Sequence, residues 1–91
     1  MEIKQYQLII SGHVQGVSYR ISAREQARQL ELSGWIRNLA DGRVEMLIEG
    51  ETGHLDLMTE WAGKGPRFAS VTHVDITEKT ASGEFTEFNI R

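Results

Sequence analysis

The chain has 91 residues, 40% of them apolar and 25% charged, and carries a formal net charge of −3. That length supports one hydrophobic core rather than two, and the composition is that of a folded globular chain rather than a disordered one. The absence of cysteine excludes disulfides, a thiolate nucleophile and zinc–thiolate sites. The acidic balance argues against a broad nucleic-acid or membrane surface but leaves room for a local positive pocket.

The start, Met1-Glu2-Ile3-Lys4-Gln5, lacks the charged-then-apolar pattern of a signal peptide, and no apolar run reaches membrane-spanning length. A cytoplasmic location is therefore expected. No repeat, low-complexity run or linker interrupts the chain, so residues 1–91 read as a single domain.

Residues 4–11 alternate as a strand, with Tyr6, Leu8 and Ile10 on one side. From Tyr19 to Leu32 the spacing becomes helical. Tyr19, Ala23, Ala27 and Leu30 form an apolar stripe opposite Arg24, Glu25, Arg28, Gln29 and Glu31. Gly34 to Asn38 reads as a strand, and Leu39-Ala40-Asp41-Gly42 as a hairpin turn, since Asp-Gly is a favoured turn pair. Val44, Met46 and Ile48 alternate with Glu45 and Glu49, giving a half-buried partner strand.

Gly50 to Gly53 is a break, with Thr52 the expected cap of a second helix. Leu55, Met58, Trp61 and Ala62 are its apolar stripe, and Gly63-Lys64-Gly65-Pro66 its stop. Residues 68–78 should form a fourth strand with Val74 and Ile76 inward. Ala81-Ser82-Gly83 then turns into a short last strand, Phe85 to Ile90. This order matches a ferredoxin-like βαββαβ sandwich of the α+β class with a short extra C-terminal strand. Two helices should cover one face of an antiparallel sheet, with strand 1 beside strand 3 in its middle.

The stretch Gly12-His13-Val14-Gln15-Gly16-Val17-Ser18-Tyr19-Arg20 lies between the first strand and the first helix. Glycine permits backbone angles that turn successive N–H groups inward, and a helix N-terminus favours negative charge. Arg20 adds a planar fork of donors matched to phosphate or carboxylate oxygens. Taken alone, the segment reads equally as an ordinary turn with a surface arginine, because short glycine motifs are common. Asn38 ends its strand on the same side as Ile36, where an amide is a fixed neutral donor and acceptor able to orient a water. Alone, it also reads as a simple cap of the hairpin turn.

Together the two segments resemble the acylphosphatase family. Residues 12–20 match a motif of the form Gly-x-Val-Gln-Gly-Val-x-Phe-Arg, with Tyr19 where phenylalanine or methionine is usual. Residues 34–50 match Gly-aromatic-Val-Lys-Asn-x-x-x-Gly-x-Val followed six residues later by glycine, with Ile36 and Arg37 as the departures. The loop glycines, the arginine and the asparagine are all in place. Tyr19 brings a phenol to be satisfied in or near the core, and Ile36 adds bulk, so these departures bear on stability more than on chemistry.

The resemblance implies hydrolysis of an acyl phosphate, a small-molecule carboxyl–phosphate anhydride, to a carboxylate and inorganic phosphate. It implies that the backbone N–H groups of Gln15, Gly16, Val17, Ser18, Tyr19 and Arg20 and the Arg20 guanidinium hold the phosphate. Asn38 would place the attacking water, making Arg20 and Asn38 the catalytic pair. Neither segment offers a serine–histidine pair or a convergent carboxylate cluster, so no cofactor and no metal are expected. An acyl phosphate expels a carboxylate whose conjugate acid has a pKa of about 4, which removes the need for a general acid.

Other residues are read more simply. His13 is a solvated loop side chain and Ser18 a small filler near the helix start. His54 and His73 lack paired ligand spacing, Trp61 and Met58 are core, and Arg37 and Arg43 belong to the surface. A noncatalytic anion-binding module would not require Asn38. An RNA-binding domain would require exposed aromatics and a basic sheet face, whereas Glu45 and Glu49 lie on the face away from the helices. The expected protein is a monomer without nucleic-acid or membrane partners.

Overall fold

A computed structural model describes residues 2–91 of the chain. In chain order the elements are β1 (Ile3–His13), α1 (Tyr19–Gln29), β2 (Ser33–Asn38), β3 (Val44–Glu51), α2 (Thr52–Lys64), β4 (Ser70–Thr80) and β5 (Phe88–Ile90). They build a five-stranded sheet of order β4-β1-β3-β2-β5, so β1 and β3 are its centre as the element order required. Leu8, Ile10, Val44, Met46 and Ile48 alternate onto one face of these strands, where they are buried with Tyr19, Ala23 and Ala27 of α1 and Leu55, Met58 and Ala62 of α2. A period of two on the strands meets a period near 3.6 on the helices, and both resolve into one core. Ile36 of β2 is buried there without displacing its neighbours' burial.

The four longer strands pair antiparallel, but β5 lies parallel to β2, which makes the sheet mixed. The cause is topological. β4 and β5 occupy opposite edges, so residues 81–87 must cross the sheet before the chain can pair again. Glu49 anchors that crossing, accepting from the Ser82 N–H at 2.8 Å, the Gly83 N–H at 2.8 Å and the Ser82 hydroxyl at 3.0 Å. The Gln5 amide donates to the same carboxylate at 3.0 Å. The last strand therefore begins at Phe88 rather than at Phe85.

Three local expectations change for physical reasons. β1 runs on to His13 through a register shift between Ser11 and Gly12, and His13 pairs with Ser70 on β4. Gly12 thus belongs to β1, at an irregularity in its pairing with β4, rather than to the loop. Its φ is 123°, and a Cβ there would stand 2.1 Å from the Ser70 carbonyl oxygen, so only glycine fits. Thr52 is the first residue of α2 and not its cap. Its N–H donates to the Glu2 carbonyl at 3.0 Å, so a neighbouring strand end does the capping. Finally, Val74 packs against the core, but Ile76, although paired with Leu8, is 48% exposed on the edge strand β4.

Candidate active site

The loop from Val14 to Ser18 joins the end of β1 to the start of α1, and two of its residues have left-handed backbone angles. Gly16 has φ 73° and Ser18 has φ 62°. An ordinary N-cap residue is extended and turns its side-chain oxygen back onto the first free N–H groups of the helix. Ser18 does neither: it is left-handed, makes no side-chain cap bond, and no acid occupies the first turn of α1. The first turn bond is Ser22 N–H to the Ser18 carbonyl at 3.1 Å. Among the described residues, no backbone or side-chain group accepts from the N–H groups of residues 15–20. Such a run of free donors at a helix start is attractive to an anion.

A cavity of about 400 Å³ opens on this loop, lined by Val14, Gly16, Ser18, Tyr19, Arg20, Ile21 and Ile90. It gathers Gly16, Ser18, Tyr19 and Arg20 of the expected residues; Gln15, Val17 and Asn38 do not line it. Of the arginines in the two motifs, Arg37 pairs with Glu45 at 2.6 Å and Arg43 with Asp41 at 2.8 Å. Arg20 makes no ion pair among the described residues, so its charge is left for whatever enters the cavity. Arg43 also holds the Asp41 carboxyl below its usual range, first through its backbone N–H and then through its guanidinium.

Asn38 is the last residue of β2 and pairs with Val44. Its Oδ1 is buried and has no hydrogen-bond partner among the described residues. Buried acceptors are rarely left unsatisfied, and one that is calls for a bound donor such as water. The loop meets the hairpin through Gln15, whose amide donates to the Leu39 carbonyl at 2.8 Å and the Arg43 carbonyl at 2.9 Å.

Tyr19 is buried and its hydroxyl donates to the Ala62 carbonyl at 2.7 Å, which satisfies the phenol that stands where phenylalanine or methionine is expected. Its ring lies 5.3 Å from that of Trp61, which is half-buried against the core. His13 is exposed at the end of β1, while His54 lies 4.0 Å from Glu51 and His73 2.8 Å from Asp75. Glu45 on the open face is tied down by the Gln7 amide at 2.6 Å and the Arg37 guanidinium at 2.7 Å. Arg37 and Arg91 both stack on Trp35, at 5.3 and 4.6 Å from the ring centre.

Two contributors to this region escape a reading of spacing. Ile90 reaches the cavity because β5 pairs with β2, and a parallel partner at the end of the chain has no hairpin signature. The Gln15 amide bonds cross 24 and 28 residues of sequence, and only the loop–hairpin geometry reveals them.

Fold and loop define the class: a small ferredoxin-like α+β protein with a donor-rich crevice between its first strand and first helix. The acylphosphatase family model matches residues 6–90, and the chain belongs to that family. It is 49% identical over 88 residues to an acylphosphatase of Marinobacter nauticus, an alignment covering 97% of this chain and 96% of the relative. Its identity to an acylphosphatase of Methylococcus capsulatus is 46% over the same coverage. The crystal structure of acylphosphatase from Bacillus subtilis superposes with a TM-score of 0.94 at 36% identity, covering 99% of both chains. The protein is a hydrolase acting on acyl phosphates.

Proposed function

We propose that the protein binds the phosphoryl group of an acyl phosphate through the N–H groups of residues 15–20 and the Arg20 guanidinium, while Asn38 holds the attacking water. The observation that carries this reading is the run of N–H donors left unclaimed among the described residues, beside an arginine that makes no ion pair among them. The buried Oδ1 of Asn38, unpartnered among the described residues, supports the water role, since an acceptor there fixes a water by accepting a hydrogen bond from it. The water oxygen forms a bond to phosphorus as the bridging oxygen–phosphorus bond breaks. The electron pair of that bond leaves on the carboxylate, and the water's proton passes to a phosphate oxygen of the substrate. Phosphoryl transfer asks mainly for positioning and charge stabilisation. A carboxylate with a conjugate-acid pKa of about 4 departs without a protonated side chain beside it.

On this reading residues 1–91 act as one domain, as a monomer in the cytoplasm, with no cofactor, metal, nucleic acid or membrane in the reaction. The test is a panel of acyl phosphates and phosphomonoesters assayed with and without a chelator. Turnover of the acyl phosphates alone, unchanged by chelator, is the expected result. Phosphomonoester hydrolysis or chelator-sensitive turnover would overturn the mechanism. Sedimentation at assay concentrations checks the monomer, which a stable dimer would contradict.

A further inference from the structure

We infer that Gln15 is a positioning residue whose side chain sets the distance between the phosphate loop and the water held by Asn38. This rests on the division of roles just proposed. Gln15 immediately precedes Gly16, where the chain turns left-handed and its N–H groups have no acceptor among the described residues. Its side-chain amide points away from the loop and spends both of its hydrogens on the hairpin, at 2.8 Å to the Leu39 carbonyl and 2.9 Å to the Arg43 carbonyl. Leu39 follows Asn38 directly, and the Leu39 N–H donates to the Arg43 carbonyl at 2.8 Å, closing the same turn.

One neutral group therefore grips both sides of the hairpin mouth next to Asn38. Among the described residues it makes the only hydrogen bonds between residues 14–20 and residues 33–51. The two halves of the site otherwise belong to different parts of the fold. The loop hangs between β1 and α1, whereas Asn38 ends β2, and β2 touches β1 only through β3. A displacement of about 1 Å between reacting groups costs on the order of a hundredfold in rate. The Gln15 amide resists such a displacement across the gap between the two segments. Because an amide does not titrate near neutrality, this tie keeps its geometry across the working pH range.

The test compares Gln15→Ala and Gln15→Met with wild type and Asn38→Ala, using acetyl phosphate as substrate and inorganic phosphate as inhibitor. Gln15→Met keeps the bulk of the side chain and removes only its donors, so it reports on the hydrogen bonds even where Gln15→Ala folds poorly. Both variants should lose tenfold or more in kcat, with phosphate inhibition changed less than threefold at temperatures where unfolding is negligible. Adding Asn38→Ala to either should slow the enzyme little beyond Asn38→Ala alone. A merely structural glutamine would lower the melting temperature and leave kcat of the folded fraction intact. That result, or losses that multiply in the double variant, overturns the inference. Failure of the parent reading is distinct: Asn38→Ala itself would then turn over normally.

Discussion

The Tyr19 hydroxyl donates to the Ala62 carbonyl at 2.7 Å, joining the first turn of α1 to the last turn of α2. In a continuing helix that carbonyl would accept the N–H four residues on, at position 66. Residue 66 is proline and has no N–H. The phenol supplies the missing donor, so the residue that departs from the family motif also completes a helix end. Tyr19→Phe restores the usual side chain and leaves a buried carbonyl unpaired. The expected cost is about 1–3 kcal/mol, a fall in melting temperature of roughly 4–8 °C for each kcal/mol lost. An unchanged or higher melting temperature would show that the bond contributes nothing.

The same burial raises the Tyr19 phenol above its ordinary ionisation range. A native state that holds its proton more tightly than the unfolded chain is destabilised as pH rises. The contribution is fully present below about pH 10, the unfolded value, and falls away above it. Tyr6 is also raised, chiefly by burial, so a comparison of variants isolates Tyr19. Urea unfolding at pH 8 and pH 11 should show a smaller alkaline loss in Tyr19→Phe than in wild type. Equal losses in the two proteins would assign the effect elsewhere.

Acid should act through Glu49. Burial pushes its carboxyl upward, but the Ser82 and Gly83 N–H groups, the Ser82 hydroxyl and the Gln5 amide outweigh that and hold it below the ordinary carboxylate value. Stability from this site is present above the unfolded pKa near 4.3 and is lost as pH falls through the lower folded value. Glu49→Gln turns an acceptor into an amide facing donors, and should cost about 1.5–3 kcal/mol at pH 7. Its stability should then change less than that of wild type between pH 5 and pH 2. A variant as stable as wild type at pH 7 would mean that the 81–87 crossing is held by other contacts.

How much of this was legible in the sequence depends on the range of the interaction. The alternation Val44-Met46-Ile48 and the stripe Tyr19-Ala23-Ala27 announce the core because burial imposes a local period. Arg20 and Asn38 stand out through motif spacing. Contacts that join distant segments leave no such trace: Glu49 on Ser82, Gln15 on Leu39, β5 on β2. Gly12 looks like a loop glycine, yet it answers the close backbone of β4 at a register shift in the sheet. The end of α1 misleads for a different reason. Leu30 continues the apolar stripe, but the helix stops at Gln29, where Leu32 N–H donates to the Ala27 carbonyl and Glu31 N–H to the Arg28 carbonyl. Those two bonds form a Schellman stop with Glu31, at φ 57°, where glycine is usual.

Glu31 therefore holds a left-handed conformation that costs a non-glycine residue about 1–2 kcal/mol. Its side chain is exposed and makes no hydrogen bond or ion pair among the described residues, so little is lost with it. Glu31→Gly relieves the strain, offset in part by the greater freedom of glycine in the unfolded chain. A net gain of about 0.5–1 kcal/mol is expected, read as a higher urea midpoint at unchanged slope. A loss of stability would mean that entropy outweighs strain at this position.

Arg20 and Asn38 should separate kinetically. On the proposed division of roles the Arg20 guanidinium meets the phosphoryl group in the ground state and the transition state alike, so Arg20→Ala should weaken phosphate inhibition and lower turnover together. Arg20→Lys should recover little, because a point charge cannot reproduce the two-pronged contact. On the same proposal Asn38 acts on the water, and among the described residues its Oδ1 has no other partner to lose. Asn38→Ala should leave phosphate inhibition nearly intact while kcat falls by a hundredfold or more, a loss of at least roughly 3 kcal/mol by analogy with other positioned polar groups. A guanidinium stays charged and an amide neutral in general between weakly acidic and neutral pH, so kcat should be nearly flat there. Exposed His13 provides the control: a steep limb near the histidine pKa that vanished in His13→Ala would give it a part in the reaction. Because Asn38 borders the hairpin, unfolding must be followed in parallel. A folded Asn38→Ala enzyme with near-normal kcat, or one that lost phosphate binding as severely as Arg20→Ala, would show that arginine and asparagine do not divide phosphate and water between them.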